Sequence, residues 1–268
     1  MTDPWRGSTA LITGASRGIG AALAEELAAR GTDLVLVARS EATLQPVAER
    51  CRALGRRVEL LPADLEDPDT PGQLMARLDQ LGLTIDHLVN NAGIGPNGLF
   101  QQEGPAFHLP TIAVNVRAVV DLSARLLPGM VARGRGGLLN IASTSAWQGL
   151  QWLPVYSASK AFVVTWSEAT WVGLRGTGVR CTCVSPGPVD TGFFEANRLE
   201  VTMPRWAMQS ARAVARRAIA AYERDRCHTI TYLPFRLLAW GTRLAPRWLA
   251  ARLGGWYAAP TRTAATPP

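Results

Sequence analysis

Lysine is almost missing from this chain: of 28 basic residues, 27 are arginine and one, Lys160, is lysine. Cysteine and histidine are scarce too. Four cysteines (Cys51, Cys181, Cys183, Cys227) are too few and too scattered for a disulfide scaffold. With no CxxC pair and only three histidines, no metal-ligand cluster is expected. A reduced, cytoplasmic chain is the expectation, without a secretory leader, because no charged-then-apolar segment precedes the first strand-like run. One stretch, residues 136–159, is free of charge, but Asn140, Gln148, Gln151 and Pro154 interrupt it, so no ordinary transmembrane helix is expected. Acid is missing from one end. From Arg226 onward the chain carries Arg226, Arg236, Arg243, Arg247, Arg252 and Arg262 and no Asp or Glu, so +6 of the net +7 belongs to the tail. The nearly neutral body, with no recognition motif, argues against nucleic-acid binding.

What is present fills a core. Hydrophobic residues make up 47% and charged ones 18% of 268 residues, enough for one large α/β domain and too apolar for disorder. Short runs rich in β-branched residues predict strands near Thr9–Gly14, Asp33–Arg39, Val58–Ala63, His87–Asn91, Gly137–Ser143, Val179–Ser185 and Thr229–Leu233. Their continuous apolarity fits strands buried on both faces of a parallel sheet. Ile19, Leu23 and Leu27 fall at helical spacing between the first two, and Gly31 closes that helix. Strand–helix–strand alternation predicts a Rossmann-like, doubly wound sheet of about seven strands with a C-terminal helical appendage. A catalytic, nucleotide-binding body over residues 1–225 and a last strand plus extension over 226–268 are expected within one domain.

Thr13-Gly14-Ala15-Ser16-Arg17-Gly18-Ile19-Gly20 follows the first strand and opens the first helix. Glycines there let the chain turn sharply and bring backbone N–H groups to a pyrophosphate at the positive helix end. The spacing is GxxxGxG. The second strand ends in Ala38-Arg39-Ser40, where an NAD site wants an acid for the ribose hydroxyls and a 2′-phosphate wants arginine. Arg39, with Arg17 in the turn as a second cation, predicts NADP(H).

Tyr156-Ser157-Ala158-Ser159-Lys160 sets a phenol and an ammonium four apart, on one face of a helix. A free tyrosine, with pKa about 10, is a poor base. An ammonium about 4 Å away at an effective dielectric of 20 favours the phenolate by roughly 4 kcal/mol, which predicts a phenol pKa lowered by up to about three units. Lysine supplies a compact charge where arginine would bring a planar fork. The chain's one lysine stands at this position.

Taken in order across residues 9–192, these motifs resemble those of the single-domain short-chain dehydrogenases/reductases. The resemblance extends to Asp64 and Leu65 after the third strand, which in the family touch the adenine. It includes Asn90-Asn91-Ala92-Gly93, which steadies the sheet and lines the nicotinamide ribose, and Pro186-Gly187-Pro188-Val189-Asp190-Thr191, which clamps the nicotinamide amide. It implies that Asn115 holds a water beside Lys160. Ser143, thirteen residues before Tyr156, takes the place of the catalytic serine, with Thr144 and Ser145 as near rivals. It further implies hydride transfer between the nicotinamide and a carbonyl or secondary alcohol, with Tyr156 as proton donor, and a homodimer or homotetramer. A non-catalytic NADP(H) sensor stays open as the alternative, as does the direction of reaction.

Phe193, Phe194, Leu199, Val201, Met203, Trp206 and Met208, with Trp147, Leu150, Trp152 and Leu153, line either a large apolar substrate mouth or an ordinary packed loop. The first reading predicts a bulky or acyl-chain carbonyl. In the tail, Leu233, Leu237, Trp240, Leu244 and Trp248 recur at helical spacing beside Arg236, Arg243 and Arg247, with Pro246 expected to kink or divide the segment and Trp256 beyond it. Three readings stand: a helix packed on the body or a second subunit, a membrane-surface element, and a dock for an acidic carrier protein or anionic thioester.

Overall fold

A computed structural model of the chain describes residues 3–193, 197 and 208–257, with the side chains of residues 243 and 253–257 outside it. Phe194, Leu199, Val201, Met203 and Trp206 of the expected substrate loop, and the Trp256 side chain, lie outside the described residues. Seven strands form one parallel sheet: β1 (Thr9–Thr13), β2 (Asp33–Ala38), β3 (Val58–Pro62), β4 (His87–Asn90), β5 (Gly137–Ile141), β6 (Arg180–Ser185) and, at the edge, β9 (His228–Ile230). Their order is β3-β2-β1-β4-β5-β6-β9, so the winding reverses between β1 and β4. The apolar runs form central strands because both faces are covered: Leu11, Val35 and Leu138 pack into one core layer, Ile12, Leu36 and Leu139 into the other. A short parallel pair, β7 (Val189–Asp190) with β8 (Gln209–Ser210), has no counterpart in the sequence reading, since two residues carry no periodicity.

Helices α1 (Gly18–Ala28), α2 (Glu41–Arg52), α3 (Thr70–Gln80), α4 (Pro105–Ile112), α5 (Ala118–Arg133), α6 (Pro154–Gly173) and α7 (Ala211–Glu223) flank the sheet. Two buried polar chains hold it in register. Asn90 Nδ2 donates to Asn140 Oδ1 (2.8 Å) and Ser123 Oγ (3.1 Å), and Asn140 Nδ2 donates to Ser167 Oγ (3.0 Å). At the opposite strand ends, His87 sits between Pro4 and Tyr222, against Trp5.

The last apolar run predicts a strand through Leu233, but the strand ends at Ile230 and Leu233 opens α8 (Leu233–Leu244), where Pro234 sits in the first turn and its missing N–H costs nothing. Pro246 separates α8 from α9 (Arg247–Tyr257), the division its ring demands. The apolar stripe faces outward: Leu233, Leu237, Trp240, Leu244 and Trp248 are exposed, and among the described side chains of α8 the small Ala239 is the buried one. Among the described residues, no helix is long and apolar enough to cross a membrane.

Candidate active site

Strand ends flanking a reversal of winding leave a crevice between the loops that diverge there. Here it is a cavity of about 970 Å³. One end is built on the glycine turn. Gly14 (φ 64°) and Gly18 (φ 57°) adopt left-handed backbone that favours glycine. Thr13 Oγ1 accepts from the N–H groups of Asn91 (3.0 Å) and Ala92 (3.1 Å), and Asn91 Nδ2 donates to the carbonyls of Thr13 (2.9 Å) and Gly14 (3.1 Å). Gly20 makes this contact possible, because a Cβ there would stand 2.3 Å from the Gly14 oxygen and 2.5 Å from Asn91 Nδ2. It supports the turn from beneath and is not among the residues that line the cleft.

These residues fit a dinucleotide. The first turn of α1 has no side-chain cap and no acid, so its N–H groups are left to an anion. Ser16, Arg17, Gly18 and Ile19 line the cleft there, and beyond β2 it runs past Arg39, Ser40 and Thr43. Neither Arg17 nor Arg39 makes an ion pair among the described residues. Glu41, the nearest acid in sequence, accepts from Gln45 Nε2 (3.3 Å) and does not line the cleft. Asp64 and Leu65 form the wall opposite; Asp64 Oδ1 accepts from the Glu66 N–H (3.0 Å). Ala92, Gly93, Pro186, Gly187, Val189 and Thr191 line the middle.

At the other end, Ser143, Tyr156 and Lys160 meet. Lys160 is buried, and its Nζ donates to the Ile141 carbonyl at the end of β5 (2.9 Å), 5.8 Å from the centroid of the Tyr156 ring. The expected lowering of the phenol pKa is therefore not what this geometry gives. Burial pushes Tyr156 up to about 12, a hydrogen bond with Ser143 acting the other way, and burial brings Lys160 down to about 8. Ser143 is singled out from its neighbours by that bond; its Oγ also accepts from the Ser145 N–H (3.1 Å), which fixes its rotamer at the head of a 3₁₀ turn.

Asn115 lies on a π-helical turn (Ala113–Arg117) between α4 and α5. Its amide bonds to protein on both sides: Oδ1 accepts from the Ile94 N–H (3.0 Å), and Nδ2 donates to the Ile94 carbonyl (2.9 Å) and Ser159 Oγ (2.9 Å). It does not reach the cleft. Its side chain ties the loop after β4 to α6.

The mouth beside Tyr156 is apolar. Leu150, Leu153 and Phe193 line it, as expected, whereas Trp147 and Trp152 do not. Ile94, Pro96, Phe107 and Phe235 join them without any signal in the sequence, since each comes from a different segment. Gly95 is also unread: a Cβ there would stand 2.5 Å from Tyr156 Cδ2, so its smallness admits the phenol ring. Asn197 accepts from the Gly95 N–H (2.8 Å) and donates to the Phe193 carbonyl (2.7 Å), pinning the far loop to this wall.

Comparison with known proteins agrees with this geometry. The family model described as short chain dehydrogenase matches residues 8–201. The chain is similar to the ketoacyl reductase HetN of Nostoc sp., 34% identical over 84% of this chain and 78% of that one. It is also similar to the very-long-chain 3-oxoacyl-CoA reductase of Bos taurus, 32% identical over 81% and 69%. A solved short-chain dehydrogenase from Sphingobium yanoikuyae in complex with NADPH superposes with a TM-score of 0.80 at 32% identity, covering 97% of this chain and 99% of that one.

Proposed function

The chain belongs to the short-chain dehydrogenases, oxidoreductases that act on carbonyl and hydroxyl groups with a nicotinamide cofactor, and from that premise we propose an NADPH-dependent reductase of bulky, apolar or acyl-chain ketones and aldehydes. One observation carries this reading: the Ser143–Tyr156–Lys160 group stands where the polar, arginine-bearing end of a single cavity gives way to an apolar mouth. Ser16, Arg17, Gly18 and Ile19 would hold a nicotinamide dinucleotide, which would supply a hydride. Tyr156, kept protonated by burial, would give its proton to the carbonyl oxygen of the substrate. Ser143 donates a hydrogen bond to the same oxygen and draws it within reach. Lys160 steadies the phenolate left behind; donors fixed before the charge develops cost no reorganisation.

Arg17 and Arg39, cationic and without acids of their own, support NADP(H) over NAD(H). The acyl substrates named for the Nostoc and bovine relatives favour a 3-oxoacyl or similar long carbonyl, as does the mouth formed by Phe107, Leu153 and Phe193. Members of the family are typically oligomers. Exposed Leu109, Ile112 and Val120 around the Asn115 turn, and Phe162 and Val172 on α6, support a homodimer or homotetramer through those helices.

The test is NADPH oxidation against ketones, aldehydes and 3-oxoacyl thioesters of rising chain length. Turnover should rise with chain length, and Tyr156→Phe should lower kcat by roughly 10³ while NADPH still binds. Arg39→Ala should weaken NADPH roughly ten- to hundredfold and leave NADH unchanged. NADH binding as tightly as NADPH in the parent chain would overturn the cofactor reading, and turnover confined to small polar ketones the substrate reading. Tight NADPH binding with no turnover across the series would make the protein a nucleotide sensor.

A further inference from the structure

A second cavity, of about 280 Å³, lies between α7, β9 and the start of α8. Arg217, Arg224, Arg226 and Arg236 line it, and no acid does. The nearest carboxylates in sequence are engaged elsewhere: Glu223 pairs with Arg30 (3.5 Å), and Asp225 Oδ1 accepts from Trp171 Nε1 (3.2 Å). None of the four arginines is in an ion pair among the described residues. The catalytic site makes no use of this pocket, whose charge fits a phosphate.

What lies beside it identifies the source of that phosphate. Leu233 and Arg236 belong both to the pocket and to α8, along which the exposed stripe runs: Leu237 is 61%, Trp240 65% and Leu244 90% exposed. Single exposed apolar residues need no explanation, but a continuous stripe does. A symmetric second copy is a poor occupant, because it would present the same patch, which carries no acid to meet the arginines. A soluble anion would leave the stripe uncovered. An anionic bilayer satisfies both features, with tryptophan and leucine entering the boundary between headgroups and acyl chains and guanidinium groups meeting phosphates.

We propose that α8 and the arginine-lined cavity beside it dock this protein on bilayers containing anionic phospholipid. The same helix places Phe235 in the catalytic cleft, so docking sets the apolar mouth next to the lipid.

The experiment is co-sedimentation of the full chain with vesicles of phosphatidylcholine alone and of phosphatidylcholine mixed with phosphatidylglycerol. Binding should need phosphatidylglycerol and weaken with salt. Arg224→Ala with Arg226→Ala should weaken it about thirtyfold, near fivefold per guanidinium. Leu237→Ser with Trp240→Ser should abolish it even with the arginines intact. All four positions are exposed, and unchanged NADPH binding by each variant confirms its fold. Equal binding to both vesicle types, or binding that survives the serine variant, overturns the proposal. So does a concentration-dependent dimer abolished by the serine variant, which gives the stripe to a second copy. Inorganic phosphate that binds equally to the parent and serine proteins, with no vesicle binding by either, reduces the pocket to a soluble-anion site.

Discussion

Burial drives Tyr156 and Lys160 toward their neutral forms, the phenol up to about 12 and the ammonium down to about 8. A phenol held this way is a proton donor at neutral pH, which suits reduction. The ammonium gives it a matching limit. Below pH 8 Lys160 carries the charge that steadies the departing phenolate, and above it that charge is progressively lost. The proposed reduction should therefore show kcat falling as pH rises through about 8, measured with saturating NADPH and ketone. A profile flat to about pH 10, where a free lysine titrates, would show that the Lys160 charge is not used. The residues themselves were legible in different degrees. Tyr156 and Lys160 are readable because four residues span one helical turn. The Lys160 bond to the Ile141 carbonyl is not, since it depends on how the end of β5 meets α6. Asn197 and Gly95 act through partners distant in sequence, so local pattern carries no trace of them.

Among the elements, the turn before α1 is the least tolerant. The Gly20 contact is with backbone, which cannot swing aside as a flexible side chain can. Gly20→Ala should cost about 1–3 kcal/mol in urea unfolding and weaken NADPH binding with it, although position 20 does not line the cleft. A variant as stable and as tight as the parent would mean that the turn and the Asn91 clamp can separate freely. All seven sheet strands were readable from apolar runs, because a parallel sheet buries both faces and leaves no polar alternation to confuse the pattern. Leu233 was misplaced because an apolar residue after a strand reads the same whether the strand continues or a helix begins. The stripe on α8 was readable as helical, but periodicity gives a face without saying what it meets.

For the whole molecule, closure depends on groups far from the cleft. Glu26 of α1 accepts from Arg30, Arg212 and Arg216, binding α1 to α7. Burial alone would raise its pKa, but those bonds hold it below the ordinary carboxylate value. His87 joins the N-terminal segment, the sheet and α7 as the neutral tautomer. Its Nε2–H donates to the Pro4 carbonyl (2.9 Å), and its Nδ1 accepts from the Tyr222 hydroxyl (2.7 Å). Burial lowers its pKa from 6.5 to about 4, so between those values the unfolded chain binds the extra proton. Stability should fall as pH drops from about 6.5 to about 4, by up to about 3 kcal/mol. Urea midpoints across that interval should move for the parent and much less for His87→Asn; equal slopes would remove His87 as the cause. The contribution of Glu26 is lost only as pH falls below its unfolded value of 4.5, which separates the two. The scarcity of lysine has a use at the same scale. With its one ε-amine buried at the end of the cleft, the molecule offers no surface lysine to acylating labels, amine-coupled beads or lysine-specific tagging. Near neutrality an amine brought down to about 8 is also a better nucleophile than a solvated one. Beside the chain's α-amine, a slender activated ester would therefore mark a single side chain and be shut out by whatever fills the cleft, which makes labelling read at Lys160 a direct gauge of occupancy.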